Sequence, residues 1–354
     1  MTSPLHGEDQ RFESSQAHNM GTIQQGARQA VINCMRIKPK DKVVIVADRQ
    51  ALQIANTLKK ETAKITKKIT LFVLEHFGKR PLKKLPKEIA NSVKNSTAVF
   101  YIASSQKGEK NALRMPIIKL APKHCRQAHM PDIDKRLMRE GMCSDYKLIQ
   151  KISKRVYDIL KKAKKIKVIA RRGTNLLAEF SPKIKWLVCD GDITKDKSGW
   201  SNLPDGEVFT CVKSINGIAI IDGSIGDYFG MRYGLLSKTP IYIQIKNSKV
   251  TKLICKNKKL EAELKSYMKQ DKNANRIGEF ALGTNIALKK FTGNLLQDEK
   301  FPGVHIAIGN GYPQYTGARW NSKAHCDVIM AKTTVIVDGK EIMHKGKYVK
   351  SILK

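Results

Sequence analysis

The sequence predicts an α/β N-terminal domain with a parallel sheet, followed by a strand-rich α+β C-terminal domain. Three observations support this division. Continuous apolar runs alternate with helical patterns in the first 143 residues, short apolar runs divided by glycine turns dominate from Lys167 onward, and 354 residues are enough for two cores. We place the boundary at residue 144. Residues 1–20 are expected to be a flexible lead, residues 21–143 the first domain and residues 144–354 the second.

The first domain is predicted from apolar runs of the type that buried parallel strands show. A helix is expected over residues 21–35. Strands are expected at Lys42–Asp48, Ile69–Leu74 and Thr97–Ile102, with helical patterns between them. This alternation favours βαβ crossovers. None of these strands is followed by a GxGxxG or GxxxxGK loop, so nucleotide binding has no support.

A helix that begins after Ser144 is expected to open the second domain. Serine is a suitable N-cap, and apolar residues recur on one face of this segment as far as Leu160. A further helix is predicted over residues 260–268. Asp-Gly pairs separate several short strands, as tight turns require. These strands are expected at Val168–Ala170, Trp186–Val188, Val208–Thr210, Ile218–Ile221, Ile241–Ile245 and Thr333–Val337.

The net charge of +35, from 66 Lys+Arg against 31 Asp+Glu, would attract polyanions at low salt. Most of it is lysine spread along the chain, and aromatic residues make up only 6%, which is few for base stacking. We therefore favour a solvated surface over a specific nucleic-acid patch. A basic protein that binds nucleic acid or another polyanion is kept as an alternative function, which a salt titration of binding would test.

Cysteine spacing and hydropathy indicate the compartment. The seven cysteines are scattered without a CxxC pair, which argues against a disulfide framework and against a thiolate zinc site. No apolar run approaches the roughly 18 residues of a membrane span. The first twenty residues contain no apolar stretch of the signal-peptide type. We expect a cytoplasmic protein with reduced thiols and no membrane contact.

Candidate chemistry is concentrated between Arg276 and Met330. A carboxylate in an apolar, strand-like run is informative, because burying it is costly unless it is paired, hydrogen-bonded or bound to a metal. His325 and Asp327 stand two residues apart in such a run, so both side chains project to one face and Cys326 projects to the other. Taken alone, this pattern fits a metal site and a hydrogen-bonded His–Asp pair equally well.

Three more residues extend the candidate set. His305 stands in a second apolar run, and Glu207 and Glu279 each follow a glycine and open an apolar run. Considered alone, His305 is more typical of a histidine packed in the core than of a ligand. Each glutamate, considered alone, is more typical of an exposed strand edge. Together with His325 and Asp327 they offer five hard or borderline ligands. That set is sufficient for two divalent ions that share a carboxylate.

Two residues have weaker support. Glu299 lies in the sequence QDEK, which is also typical of a plain surface turn. Tyr312 lies in the loop GNGYP, where a tyrosine more often serves packing. Its hydroxyl is also suited to donate a hydrogen bond to an oxyanion beside a metal.

Four blocks of sequence together resemble the aminopeptidase T / aminopeptidase S family. They are residues 202–210 (NLPDGEVFT), 278–284 (GEFALGT), 298–309 (DEKFPGVHIAIG) and 325–327 (HCD). The resemblance implies a leucyl-aminopeptidase-like metallopeptidase with two divalent ions, such as zinc, cobalt or manganese. It also implies short peptides with a free N terminus as substrates, and a homodimer.

The same resemblance assigns roles to individual residues. Tyr312 takes the position of an active-site tyrosine, and Glu299 that of a glutamate that acts as ligand or base. Either Glu279 or Glu299 would transfer the proton to the leaving amine. An inactive relative that keeps the metals structurally is a further alternative, against which the complete ligand set argues. The metal-ligand positions are taken by Glu207, Glu279, His305, His325 and Asp327.

Overall fold

The computed structural model describes residues 21–194 and 199–354, so the lead predicted for residues 1–20 lies outside the described residues. Its α-helices are α1 (Ile23–Arg28), α2 (Leu52–Ala63), α3 (Lys87–Lys94), α4 (Met115–Leu120), α5 (Lys135–Arg139), α6 (Tyr146–Leu160), α7 (Asp227–Tyr233), α8 (Lys258–Tyr267), α9 (Leu295–Asp298), α10 (Pro313–Thr316) and α11 (Lys350–Leu353). Short π-helical segments cover Gln29–Cys34 and Lys110–Arg114, and 3-10 turns cover Leu74–Phe77 and Gly141–Cys143.

The strands form three sheets. Their bounds are β1 (Val43–Ala47), β2 (Ile69–Val73), β3 (Ala98–Ile102), β4 (Arg126–His129), β5 (Lys165–Ile169), β6 (Asn175–Glu179), β7 (Leu187–Cys189), β8 (Trp200–Asn202), β9 (Glu207–Thr210), β10 (Ser214–Ile221), β11 (Ile241–Lys246), β12 (Lys249–Cys255), β13 (Ile277–Gly283), β14 (Gly303–Gly309), β15 (His325–Met330), β16 (Thr334–Val337), β17 (Lys340–His344) and β18 (Lys347–Tyr348).

The first sheet is parallel, as the apolar runs predict. Its order is β2-β1-β3-β4-β8, and each neighbouring pair runs in the same direction. Every residue of β1 and β3 is buried, because helices and loops cover both faces of such a sheet. The edge strand β8 comes from the second half of the chain, close to the candidate site.

The second half is strand-rich and antiparallel, which confirms the predicted α+β class. One sheet has eight strands in the order β12-β11-β10-β6-β5-β16-β17-β18, and the other has five in the order β15-β14-β13-β9-β7. Both sheets contribute to one apolar core, for example Ile243 and Val168 from the first, and Phe280 and Ile306 from the second. No helix among the described residues is long and apolar enough to cross a bilayer.

Helix α6 links the two halves. Its residues Tyr146 and Ile149 pack in the core of the parallel sheet, whereas Ile152 and Val156 pack in the core of the antiparallel sheets. The domain boundary at residue 144 therefore falls just before a helix that serves both cores, and it stays a prediction.

Ser144 is not the N-cap of α6, in contrast to the sequence prediction. The side chain of Asp145 accepts from the backbone N–H groups of Lys147 and Leu148 at 2.9 and 3.2 Å. A carboxylate satisfies two of the free amides and complements the positive end of the helix dipole. Ser144 instead donates its hydroxyl to Oδ1 of Asn285 at 2.9 Å.

Candidate metal centre

Four neighbouring strands of the five-stranded antiparallel sheet carry the predicted ligands. Residues directly opposite each other in paired strands project to the same side of a sheet. Glu279 on β13 is opposite Ala307 on β14, and Ala307 is opposite Asp327 on β15. His305 stands two residues before Ala307, and His325 two before Asp327, so all these side chains share one face.

Small residues separate the polar side chains on this face. Glu207, the first residue of β9, is opposite Gly283, and His305 is opposite Ala281. His325 is opposite Gly309. Because alanine and glycine project little or nothing above the sheet, they leave space between the carboxylates and imidazoles. An ion needs such a space.

The opposite face of the same strands is apolar. Phe280, Ile306 and Val328 project into the large core, and Cys326 lies with them, almost fully buried. Cys326 therefore points away from the site, as the alternation of a strand predicts. One face of the sheet provides stability, and the other presents polar side chains.

Glu279 lies between the two histidines. Its Oε1 atom is 3.5 Å from Nε2 of His305, and its Oε2 atom is 4.0 Å from Nε2 of His325. On the outer sides, Oε2 of Glu207 is 3.4 Å from His305 Nε2, and Oδ2 of Asp327 is 3.3 Å from His325 Nε2. The arrangement is two clusters joined by one carboxylate.

Hydrogen bonds hold His325 in a defined orientation. Its Nδ1 atom lies 3.0 Å from the backbone carbonyl oxygen of Asn310, and an imidazole N–H must be the donor to a carbonyl. In the neutral ring this places the lone pair on Nε2, the atom that faces Asp327 and Glu279. Such a carbonyl partner fixes the ring orientation of many metal-bound histidines.

Tyr312 lies over His325. Its hydroxyl is 3.1 Å from His325 Nε2, and the two ring centroids are 4.7 Å apart. Its backbone has φ +50°, a left-handed conformation that a tyrosine adopts only under constraint, and its N–H donates to Oδ1 of Asn310 at 2.6 Å. Burial raises the pKa of Tyr312 well above its usual value, so the hydroxyl stays protonated and able to donate.

Glu299 is not in a surface turn. Its side chain is only 11% exposed and lies beside Lys300, whose Nζ atom is 2.9 Å from Oε1 of Glu299. The same Nζ atom is 2.6 Å from Oε1 of Glu207 and 3.7 Å from Oδ1 of Asp205. Lys300 and Asp205 were not among the predicted site residues. The sequences QDEK and PDGE, which contain these two residues, are typical of exposed turns. Only the tertiary contacts therefore identify Lys300 and Asp205 as part of the site.

Charges within the site shift several pKa values. Burial disfavours the imidazolium of His305, but the carboxylates of Glu207 and Glu279 outweigh it and raise the pKa of His305 to about 10. Burial raises the pKa of Glu299 to about 8, although Lys300 opposes the shift. The face is thus an acidic pocket that favours cations.

Among the described residues, Oε2 of Glu207 and Nε2 of His305 form no well-aligned hydrogen bond, although they lie 3.4 Å from each other. Buried polar atoms are nearly always satisfied, and a cation bound by both atoms would satisfy this pair. Among the described residues, donor atoms within reach of one ion form three groups: Glu207 with Glu299 and His305, Glu279 with His325 and Asp327, and Glu207 with Asp205 and Cys189. The first two groups contain the five predicted ligands. Carboxylate and imidazole donors fit zinc, cobalt or manganese.

Comparisons with known proteins agree with this geometry. The model of the thermophilic metalloprotease (M29) family matches residues 133–349, which is more than half of the chain. No curated protein sequence matches the chain significantly.

Two solved structures share its fold. The structure of wild-type AmpT from Thermus thermophilus is 15% identical, with a TM-score of 0.65 over 92% of this chain and 98% of that one. The structure of 2,5-dihydroxypyridine dioxygenase from Pseudomonas putida KT2440 is 14% identical, with a TM-score of 0.66 over 92% and 97% of the two chains. At such identities the likeness concerns the fold.

Proposed function

The chain belongs to the thermophilic metalloprotease (M29) family, and from this premise we propose that it is an aminopeptidase whose site binds two divalent ions. The observation that supports two ions best is Glu279, whose two oxygens face two different histidines. A bridging carboxylate of this kind is typical of paired-ion hydrolases. Zinc, cobalt or manganese would suit the donors. We also propose short peptides as substrates, a homodimer as the assembly and the cytoplasm as the location.

Each residue of the centre has a distinct role in this proposal. Glu207, Glu279, His305, His325 and Asp327 would hold the ions. Divalent ions there would supply Lewis acidity toward the scissile carbonyl and toward a water molecule. Both oxygens of Glu279 face histidines, so we assign proton transfer to Glu299, which would accept the proton of water and return it to the leaving amine. The hydroxyl of Tyr312 would donate to the oxyanion.

Two substitutions separate these roles. Glu279→Gln is expected to lower both bound metal and turnover of leucyl peptides, since it removes the charge of the bridge. Glu299→Gln is expected to retain metal but lose turnover. Glu341→Gln, on an exposed strand, is the matched control. Metal analysis and peptide hydrolysis, with chelator and with added cobalt, zinc or manganese, measure both properties. Hydrolysis that is indifferent to chelation would refute the proposal.

The dioxygenase with the same fold motivates one rival, a single iron held by two histidines and one carboxylate. The residues available for it are His305, His325 and Asp327. However, His305 groups with Glu207 and Glu299, whereas His325 and Asp327 group with Glu279. This separation favours two ions over one. Oxygen consumption with a dihydroxypyridine in the presence of iron, without peptide hydrolysis, would favour the rival.

A further inference from the structure

Arg114 is a half-buried cation that forms no ion pair within the described part of the chain. Its Nε atom donates to Nδ1 of His129 at 3.3 Å, and its Nη2 atom donates to Oδ1 of Asn202. The guanidinium carbon lies 5.8 Å from the centroid of the Trp200 ring. These contacts fix the plane of the guanidinium while leaving Nη1 without a hydrogen bond to the described residues.

The partners of Arg114 are neutral. Burial lowers the pKa of His129 well below its usual value, so its ring is uncharged and Nδ1 can accept from Arg114. Asn202 and Trp200 carry no charge. An arginine removed from water costs free energy unless an anion accompanies it. The charged group that acts most strongly on Arg114 is Asp227, but the two form no ion pair among the described residues. Neutral partners thus hold the guanidinium, and its Nη1 group is left available to an external anion.

Arg114 lines a cleft and interacts electrostatically with Tyr312 and Glu299 of the candidate metal centre. Together with Asp227, Ser105 and Lys110 it lines one pocket. Asp227 also lines a neighbouring cavity of about 500 Å³, a volume typical of small-ligand sites. The two spaces thus adjoin at Asp227.

Both walls of the larger cavity contact segments that carry candidate ligands. Gly226, immediately before Asp227, donates its N–H to the carbonyl oxygen of Asp327 at 2.8 Å. On the other side, the N–H groups of Thr292 and Gly293 donate to the carboxylate of Asp298 at 2.7 and 2.8 Å. Asp298 directly precedes Glu299. The cavity therefore adjoins the two segments that carry Asp327 and Glu299.

We infer that Arg114 binds a carboxylate of the peptide substrate and so selects short peptides with a free C terminus. This inference rests on the proposed aminopeptidase function. A dipeptide spans roughly 7 Å when extended and a tripeptide roughly 10 Å, so the terminal carboxylate stays close to the cleaved bond only in short chains. The planar guanidinium suits a carboxylate, which it can bind through two parallel hydrogen bonds. An acidic side chain after the cleaved bond would offer the same group.

Peptides that differ only in this carboxylate test the inference. The metal-loaded full chain is assayed with Leu-Gly, Leu-Gly-Gly, both C-terminal amides, and Leu-Asp-amide. For at least one of the two free acids, kcat/KM is expected to exceed that of the corresponding amide by ~10- to 100-fold, mainly through a lower KM. This factor is typical of a hydrogen bond to a charged group. Arg114→Gln is expected to abolish this preference by slowing hydrolysis of the free acids, and its thermal unfolding relative to wild type reports its folding.

Two further variants complete the design. Arg114→Lys keeps the charge but loses the planar fork, so it is expected to retain part of the preference, and it replaces Arg114→Gln if that variant does not fold. Arg172→Gln, at a side chain that is 48% exposed and lines neither pocket, is the matched control and is expected to keep the whole preference.

The outcomes separate the inference from the function on which it rests. Equal hydrolysis by wild type of each free acid and its amide, with no preference for Leu-Asp-amide over Leu-Gly-amide, overturns the inference and leaves the aminopeptidase intact. No hydrolysis of any peptide overturns both. If Arg114→Gln still prefers the free acids over the amides, the inference is also overturned. A preference for Leu-Asp-amide over Leu-Gly-amide that Arg114→Gln loses supports carboxylate binding and identifies the side chain as its source.

Discussion

Replacing Lys300 with methionine tests how the candidate site is held together without metal. The Nζ atom of Lys300 is 2.6 Å from Glu207 and 2.9 Å from Glu299, and its side chain is 2% exposed. Methionine is similar in length, so the change removes the charge with little effect on packing. The two carboxylates would then face each other without a cation.

The expected loss follows from these contacts. Removing one partner of a buried ion pair costs about 3–5 kcal/mol, because the other charge stays buried and unpaired. Burial holds the pKa of Glu299 at about 8 even with Lys300 present, so this carboxyl is already mostly neutral at pH 7.5 and Glu207 is the main anionic partner of Lys300. Protonation limits the loss, and we expect the lower end, about 3 kcal/mol in the free energy of unfolding. At pH 5 the loss is expected to be smaller, since more of the carboxyls are neutral there.

Urea denaturation of the metal-free protein at pH 7.5 and pH 5 measures this effect. Lys265→Met is the control, because Lys265 is 49% exposed and its ion pair with Glu261 lies at the surface, where such pairs contribute little to stability. Saturating metal is expected to recover part of the loss in Lys300→Met. A loss at pH 7.5 no larger than that of the control would refute the view that Lys300 neutralises the site.

Two other substitutions test catalysis and acid stability. Tyr312→Phe is expected to lower kcat by about 10²- to 10³-fold with little change in KM or bound metal, because it removes one oxyanion donor; an unchanged kcat would exclude that role. For Asp48, burial raises the pKa, but hydrogen bonds from Ser104 and the charge of Arg80, 2.6 Å away, outweigh it and lower the pKa below its ordinary value. Its stabilisation is therefore present above about pH 3.9 and is lost as the pH falls through the folded-state pKa. Asp48→Asn is expected to lower the urea midpoint more at pH 7 than at pH 3, and an equal drop at both would contradict this.

The sequence predicts local geometry well where the spacing of residues along a single strand determines it. The apolar runs of β1 and β3 indicate buried parallel strands, and the two-residue spacing of His325 and Asp327 places both side chains on one face. The pairing of β9 with β13, and of β13 with β14, cannot be read from spacing, because it depends on strand order. The resemblance to a known family supplied that grouping.

Lys300 and Arg114 show where prediction from sequence ends. Lysine is rarely buried unless it is paired, and the sequence around Lys300 contains no apolar pattern that would indicate burial. Its partner Glu207 comes from a distant strand, so the ion pair exists only after folding. Arg114 likewise depends on Asn202 and Trp200, which the edge strand β8 brings to it. Both residues gain their roles from tertiary contacts.

Metal removal is expected to destabilise the folded chain, because the candidate centre contains more carboxylates than lysine side chains to neutralise them. Lys300 contacts the carboxylates of Asp205, Glu207 and Glu299, whereas Glu279 and Asp327 contact only histidines among the ion pairs of the described residues. A divalent ion at each cluster would offset the remaining negative charge. An ion present at about 100 times its dissociation constant stabilises the fold by about 2.7 kcal/mol.

Thermal unfolding at pH 7.5 with chelator, and after addition of zinc, cobalt or manganese, measures this stabilisation. The melting temperature is expected to rise by several degrees with metal, and the rise is expected to shrink in Glu279→Gln, in which both clusters lose the shared carboxylate. Because that residue faces both histidines, one substitution weakens two ion sites, whereas Asp327→Asn is expected to weaken one. A melting temperature that neither chelator nor metal changes would mean that Oε2 of Glu207 and Nε2 of His305 are not ligands.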